Sequence, residues 1–406
     1  MTNPNPHMLS GFRILDLTRA IAGPTCTRMF AEMGAEVIKV EAAPDGDMTR
    51  GYSKFGSERS LHMIQQSLNK KSLCLNLRDA DGMAILRKLV PLCDVVVENF
   101  RPGIMARMGL DYAALRELRE DIILCSISAL GQTGPLAESP GYDYIAQAYA
   151  GITSMIGDPD STPSIPAAAI GDVSTGVTAA FAIAAALLDR YKTGLGQHLD
   201  VAILDCYYHC HEVNVHQYSG SNGEISHKRN GSHMGYICPA GVFRASGGDV
   251  VIMAFAQHWA DLCAAMGRPE LVDEAGWKTD AERMTHTEEV IITIEDWLQN
   301  FADVDSAIAC LEAHGVPCAP VLSVAQTISH PHLVERGTVR TVNDRVAGEF
   351  QMPGHPIHSN RYPANNDYDA PLLGEHNNAL LSDLLGMSDD ELSALKKAGV
   401  LHEKNV

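Results

Sequence analysis

The feature that most constrains this chain is the regular exchange of short apolar runs with helix-period segments through its first half. "GFRILDLTRAIAGPTCTRMFAEMGAEVIKVE" reads as a strand at 14–17, a helix at about 24–33 and a second strand at 36–40. "KSLCLNL" (71–77), "CDVVVENF" (93–100) and "DIILCSISAL" (121–130) repeat the strand signal, with a helix over 79–90 between the first two. Runs of Val, Ile and Leu without polar alternation suit strands covered on both faces, so the spacing predicts an α/β fold around a parallel sheet. The turn "TRAIAGPT" lacks the G-x-G-x-x-G that lets backbone approach a pyrophosphate, which argues against NAD.

Beyond a helix at 173–192, a strand in "TGLGQHLDVAILD" and a helix over 203–217, the character changes. Residues 219–236 are rich in Ser, Gly, Asn and His, as in a connection. A hairpin in "GVFRASGGDVVIMAF" and several amphipathic helices then suggest a smaller α+β domain. The expected organisation is a large domain over 1–218, a linker at 219–236, a small domain at 237–325, and an irregular return segment plus C-terminal part of the large domain over 326–406. Ser388 and Glu391 form a capping box and Gly399 a C-terminal stop for the last helix.

Composition limits the partners. With 31 Lys plus Arg against 50 Asp plus Glu, the net charge of −19 disfavours nucleic acid or an anionic membrane surface, and a polyanionic ligand would need a local basic pocket. The N-terminus has no basic segment followed by an apolar run, and the most apolar stretch, 177–188, is short and alanine-rich. The expectation is a soluble, cytoplasmic protein. Ten scattered cysteines suggest reduced thiols. "DCYYHCHEVNVH" offers Cys206, His209, Cys210, His211 and His216, but no standard zinc spacing, and a buried helix is the preferred reading over a metal site.

"PAAAIGDVSTGVTAAFAIAAALLDRY" sets Asp172 just ahead of a long small-residue helix. Asp and Ser are good N-caps, so Asp172 or Ser174 has a plain structural role available. A second reading comes from the motifs taken in order: "AGPTCTRMFAEMGAEVIKVE", "GDMTRG", "NKKSLCLNL", "VENFRPG", "RMGL", "IGDVSTG", "KTGLGQ" and "PLLGEH". Together they resemble the family III CoA-transferases from about residue 10 to 380.

The resemblance implies that Asp172 is the nucleophile. It would attack an acyl-CoA thioester to form a mixed anhydride, then pass through an aspartyl-CoA thioester to a small carboxylic acid. Coenzyme A would be a substrate, with no tightly bound cofactor and no metal. Contacts carried over from the family are Ile21, Ala22, Leu75, Arg78, Asn99, Phe100, Arg101, Arg107, Tyr142 and Asp143, with Lys70 and Lys71 as further cations. The family fold is a Rossmann-like large domain with a small one, in two chains interlocked as rings.

Formyl-CoA transferases have an arginine where this chain has Ala42 and a glutamine where it has Ile21, so formyl specificity is not implied. The 230–235 stretch lies where relatives carry a glycine loop over the site. Two other readings remain. An α-methylacyl-CoA racemase needs a His in a G-H-D-x-N-Y string, and here that string is "GYDYIAQ", with Tyr142 in place of the base. A non-catalytic subunit of a hetero-oligomeric transferase would be expected to lack the aspartate.

Overall fold

The computed structural model describes residues 7–52, 54–362 and 368–404. Its central sheet is built from β1 (Arg13–Asp16), β2 (Glu36–Ala42), β3 (Lys70–Leu75), β4 (Val95–Glu98), β5 (Ile123–Ser128) and β6 (His198–Ala202), all parallel, in the order β3-β2-β1-β4-β5-β6. Between them run α1 (Ala22–Glu32), α2 (Leu61–Ser67), α3 (Ala80–Leu89), α4 (Ile104–Arg107), α5 (Tyr112–Leu118), α6 (Asp143–Tyr149) and α7 (Ile170–Thr193), with α8 (Ile203–His209) following β6. Successive strand residues face opposite sides. Ile14, Val37, Val95 and Ile123 pack with residues of α1 and α7, whereas Leu15, Ile38, Val96 and Leu124 pack with residues of α3 and α5. The strand order runs outward in opposite senses from β1 and β4, while the strands stay parallel, which leaves a crevice at the carboxyl ends of these two strands.

Helix α7 starts three residues before the position expected from sequence. It is 24 residues long and apolar enough, by length and composition, to cross a membrane, which corrects the shorter reading. Its inner face (Gly176, Ala179, Ala180, Ile183) packs on α1. Gly176 makes this possible, because a Cβ there would lie 2.6 Å from the carbonyl oxygen of Ala22. The single helix expected over 203–217 is two. Cys210 turns its N–H to the carbonyl of Tyr207, an i→i−3 bond that tightens and ends α8.

The chain divides into two compact units, 1–150 with 166–210 and 330–406, and 151–165 with 211–329. The second unit therefore takes in 151–165, a segment the sequence reading left in the large domain. Arg229 holds it, donating to the carbonyls of Ser154, Asp158 and Pro159. This unit contains α9 (Asn214–Gly220), the hairpin β7 (Ala240–Ala245) and β8 (Gly248–Met253), helices α10 (Trp259–Ala265), α11 (Asp280–Thr285), α12 (Thr287–Leu298) and α13 (Val304–Ala313), β9 (Cys318–Pro320) and α14 (Val324–Thr327). Its core gathers Phe243, Ile252, Trp259, Leu262 and Ile294.

The return segment is more ordered than expected. After α15 (Pro331–Glu335), β10 (Val339–Asp344) and β11 (Gly348–Pro353) form a hairpin. Arg340 grips Glu32 of α1 with both terminal nitrogens, and Asp344 accepts from the buried Arg59. Helices α16 (Asn377–Leu385) and α17 (Asp389–Lys397) close the first unit. The Ser388–Glu391 capping box is formed, and Gly399 is left-handed at φ 72° just past α17.

Candidate active site

The loop after β1 is fixed by charge. Asp16 is fully buried and accepts from the Thr18 N–H (2.9 Å), the Thr27 hydroxyl (2.7 Å) and the Lys70 ammonium (3.0 Å). Burial pushes its carboxyl up, but Lys70, Lys39 and the two threonine hydroxyls outweigh that and hold it at about 2. Lys39 donates to the Thr18 carbonyl at 2.8 Å and pairs with Asp47. Asn99, from the end of β4, reaches across the crevice. Its carbonyl oxygen accepts from the Arg19 N–H (2.9 Å) and its amide donates to the Arg19 carbonyl (2.8 Å). Ala20 follows in a left-handed conformation (φ 65°), and Ile21 and Ala22 open α1.

Lys70 is therefore not a spare cation for a ligand, and Lys71 stands half-exposed in an ion pair. The first is consumed by Asp16 and the second pairs with Glu36 at 2.5 Å. Leu75 at the end of β3 has little to offer a ligand through its side chain. Its side chain is fully buried in the core and its carbonyl accepts from the Ala43 N–H, so it offers no side-chain surface.

The turn after β4 is tied by Glu98, which accepts from the Phe100 N–H at 2.8 Å. Burial raises the Glu98 carboxyl to about 7 despite hydrogen bonds from Ser126 and Phe100. The Arg19 guanidinium lies over the Phe100 ring, 5.6 Å from its centroid. Arg101 in this turn, Arg107 in α4 and Arg78 after β3 are exposed, and none of the three makes an ion pair among the described residues. They form positive charge at the carboxyl end of the sheet, in a strongly acidic chain.

Asp172 is not the N-cap. Helix α7 begins at Ile170 behind Ala169, which makes no side-chain cap bond, and Asp172 lies inside the first turn. The free N–H groups of that turn are satisfied from outside. Gly171 donates to the Tyr207 hydroxyl (3.0 Å) and Asp172 donates through its backbone to Oδ2 of Asp143 (2.9 Å). The Asp172 carboxylate itself makes no hydrogen bond to the described residues. Burial, then the charge of Asp143, pushes it up to about 6. Tyr142 is the α6 N-cap residue and 78% exposed, whereas Asp143 is buried.

Thus Ile21, Ala22, Asn99 and Phe100 flank the crevice between β1 and β4, Arg78, Arg101 and Arg107 stand on loops or a short helix at the same end, and Asp143 and Asp172 meet at the foot of α7. Sequence reasoning missed Tyr207, whose neighbours in "DCYYHCHE" drew attention only as thiols and imidazoles. Cys206, His209 and Cys210 fall in the first unit, and His211 and His216 in the second. Among the described residues no three His, Cys, Asp or Glu side chains gather in a metal-holding group. The 230–235 stretch belongs to the second unit.

A family model described as CoA-transferase family III matches residues 9–377. The chain belongs to CoA-transferase family III. It is 34% identical to a succinyl-CoA:glutarate CoA-transferase of Mus musculus, over 97% of this chain and 90% of that one. It is also 34% identical to a formyl-CoA:oxalate CoA-transferase of Streptomyces coelicolor, over 97% and 99%. Among solved structures, a CAIB/BAIF family protein from Brucella suis superposes with a TM-score of 0.82 at 30% identity, covering 94% of this chain and all of that one. As a family III CoA-transferase, the protein is an enzyme acting on CoA thioesters.

Proposed function

We propose that this transferase carries CoA from an acyl-CoA to a small dicarboxylic acid through covalent intermediates on Asp172. The observation that carries the reading is the placement of a carboxylate, with no hydrogen-bond partner among the described residues, in the first turn of a long helix one helix contact away from the β1–α1 loop. A group titrating at about 6 is about nine-tenths ionised at neutral pH and a stronger nucleophile than an ordinary carboxylate. The helix N-terminus offsets part of the cost of its charge, by about 0.3–1 kcal/mol.

The Asp172 carboxylate attacks the thioester carbonyl, and the C–S bond breaks to give CoA thiolate and an aspartyl-acyl anhydride. The thiolate attacks the aspartyl carbonyl, releasing the donor acid and leaving aspartyl-CoA thioester. The acceptor carboxylate displaces thiolate to form a second anhydride, and thiolate attack on the acceptor carbonyl gives the new acyl-CoA and frees Asp172. No water or redox partner enters the balance. Arg78, Arg101 and Arg107 supply charge for the phosphates of CoA, and the relatives' named acceptors, glutarate and oxalate, support a dicarboxylate.

A second copy of the chain, interlocked as in the family fold, fits the outer face of α7. Val173, Val177, Phe181, Leu188 and Tyr191 form an exposed apolar stripe at helical spacing, with Phe181 76% and Tyr191 90% exposed. Light scattering over a wide dilution range tests this, and a folded monomer at low concentration refutes it.

The anhydride route is tested with an acceptor acid labelled by ¹⁸O in its carboxylate. Each turnover leaves one acceptor oxygen on Asp172, so the peptide containing it gains mass. Turnover without label in that peptide rules the route out. A panel of acyl-CoA donors and dicarboxylic acids, read by mass spectrometry, identifies the pair.

A further inference from the structure

Tyr207 takes no part in the anhydride route, yet its hydroxyl is fully committed at the foot of α7. It donates to Oδ1 of Asp143 at 2.5 Å and accepts from the Gly171 N–H and the Gln147 side-chain amide, each at 3.0 Å. A phenol has one proton to give and two lone pairs to receive with, so every position is used. The ring is buried against the backbone of Gly171. A Cβ there would lie 2.2 Å from the ring edge and 2.8 Å from Ile203. Gly171 is helical, so its missing side chain serves the contact with Tyr207 rather than a special backbone angle.

The geometry points to Tyr207 as a positioning residue for the nucleophile: it holds the Asp143 carboxylate where that group caps the Asp172 N–H, and so fixes both the presentation of Asp172 and the charge beside it. This role rests on Asp172 being the nucleophile. The other groups that face the pair do not substitute for it. Helix α8 also carries Asp205 and His209, both exposed, α6 adds the neutral Gln147, and the first turn of α1, Ala22–Thr25, has no charged side chain.

Removing the phenol proton takes from Asp143 a donor that favours its charge. Released from the phenol, the Asp143 carboxylate is free to swing away from the Asp172 N–H, so its charge acts less on Asp172, which then stays ionised to lower pH. It also leaves the Gly171 N–H without its partner, loosening the turn that aims Asp172. A tyrosine that merely filled the core would change stability without moving a titration.

The test measures steady-state CoA exchange from pH 5 to 9 for Tyr207→Phe, Asp143→Asn and the double variant. In Tyr207→Phe, kcat falls about tenfold at pH 7.5, KM for acyl-CoA stays within about twofold, and the acid limb moves to lower pH. In the Asp143→Asn background the same change costs less than about twofold. If Tyr207→Phe does not fold, 3-fluorotyrosine at position 207 keeps ring and hydroxyl with a more acidic proton, and the acid limb moves to higher pH. An unmoved limb, or equal losses in both backgrounds, overturns the role. Asp172→Asn measured alongside separates the two readings. Full activity there overturns the nucleophile and this role with it, whereas an inactive Asp172→Asn with an indifferent Tyr207→Phe overturns only the role of Tyr207.

Discussion

Asp143 and Asp172 are joined through the backbone, Oδ2 of one accepting the N–H of the other at 2.9 Å, so a cap and a like charge reach Asp172 from the same residue. The hydrogen bond orders the first turn of α7. The charge, added to burial, raises the Asp172 carboxyl to about 6.

In the proposed mechanism Asp172 must be ionised to attack, so the expected outcome is that activity falls as the pH drops through about 6. Asp143→Asn keeps the shape and an acceptor oxygen for the Asp172 N–H while removing the charge. Its acid limb moves to lower pH, because one of the two causes of the elevation is gone. A pH–rate profile of kcat/KM for wild type and variant checks this, and a limb that moves upward contradicts the pairing.

Asp172→Asn abolishes exchange, since an amide cannot form the anhydride, and it also stabilises the fold. The folded-state value of about 6 lies above the ordinary 3.8, so the contribution of this group is fully present below pH 3.8 and is lost as pH rises through 6. The full shift corresponds to about 3 kcal/mol at most, and the partial exposure of Asp172 reduces that to about 1–2 kcal/mol. Thermal melts at pH 8 therefore place the variant about 1–3 °C above wild type, with the gap closing toward pH 4. Deamidation back to Asp must be excluded by mass.

The sheet was legible because its strands carry short, concentrated apolar runs, and each apolar run predicted at 14–17, 71–77, 93–100 and 121–130 lies on an observed strand within a few residues. The identity of Asp172 as a candidate was legible from its motif, but its structural setting was not. Its cap comes from Asp143, 29 positions away, and Tyr207 binds Asp143 across 64 positions, so no local pattern announces either. Lys70 looked like a ligand cation because the sequence shows charge but not its partner. Asp16, 54 positions earlier, takes that charge in the interior. The hairpin of β10 and β11 was missed where charged residues interrupt its alternation, and those residues, Arg340 and Asp344, turn inward to ion pairs.

Asn99 is expected to act on binding more than on chemistry. Its two hydrogen bonds to the Arg19 backbone hold the β1 and β4 loops together across the crevice. Asn99→Ala removes both, at about 0.5–1.5 kcal/mol each, and raises KM for acyl-CoA about tenfold with a smaller change in kcat. Asn99→Asp keeps the acceptor and loses the donor, giving an intermediate KM. Equal KM values in all three proteins contradict the clamp.

In the proposed function, Arg101 and Arg107 hold the phosphates of CoA and take no part in the thioester chemistry. Each is exposed and without an ion pair among the described residues, so exchanging either for Gln leaves stability within about 0.5 kcal/mol. The KM for acyl-CoA rises severalfold, while turnover of an acyl-pantetheine, which has no nucleotide, is unchanged. A parallel loss with both substrates places these arginines elsewhere in the mechanism.

Tyr142 decides between moving the acyl group and moving its α-proton. The racemase reading calls for a histidine where this chain has Tyr142, and a phenol is a poor base at neutral pH. Tyr142 is 78% exposed at the start of α6. Incubation in D₂O with a branched acyl-CoA, with and without a dicarboxylic acid, distinguishes the reactions. CoA exchange that depends on Asp172 and leaves the α-carbon undeuterated is the expected outcome. Enzyme-dependent deuterium at that carbon without exchange would mean that the carboxylate at the foot of α7 handles a proton instead of a thioester.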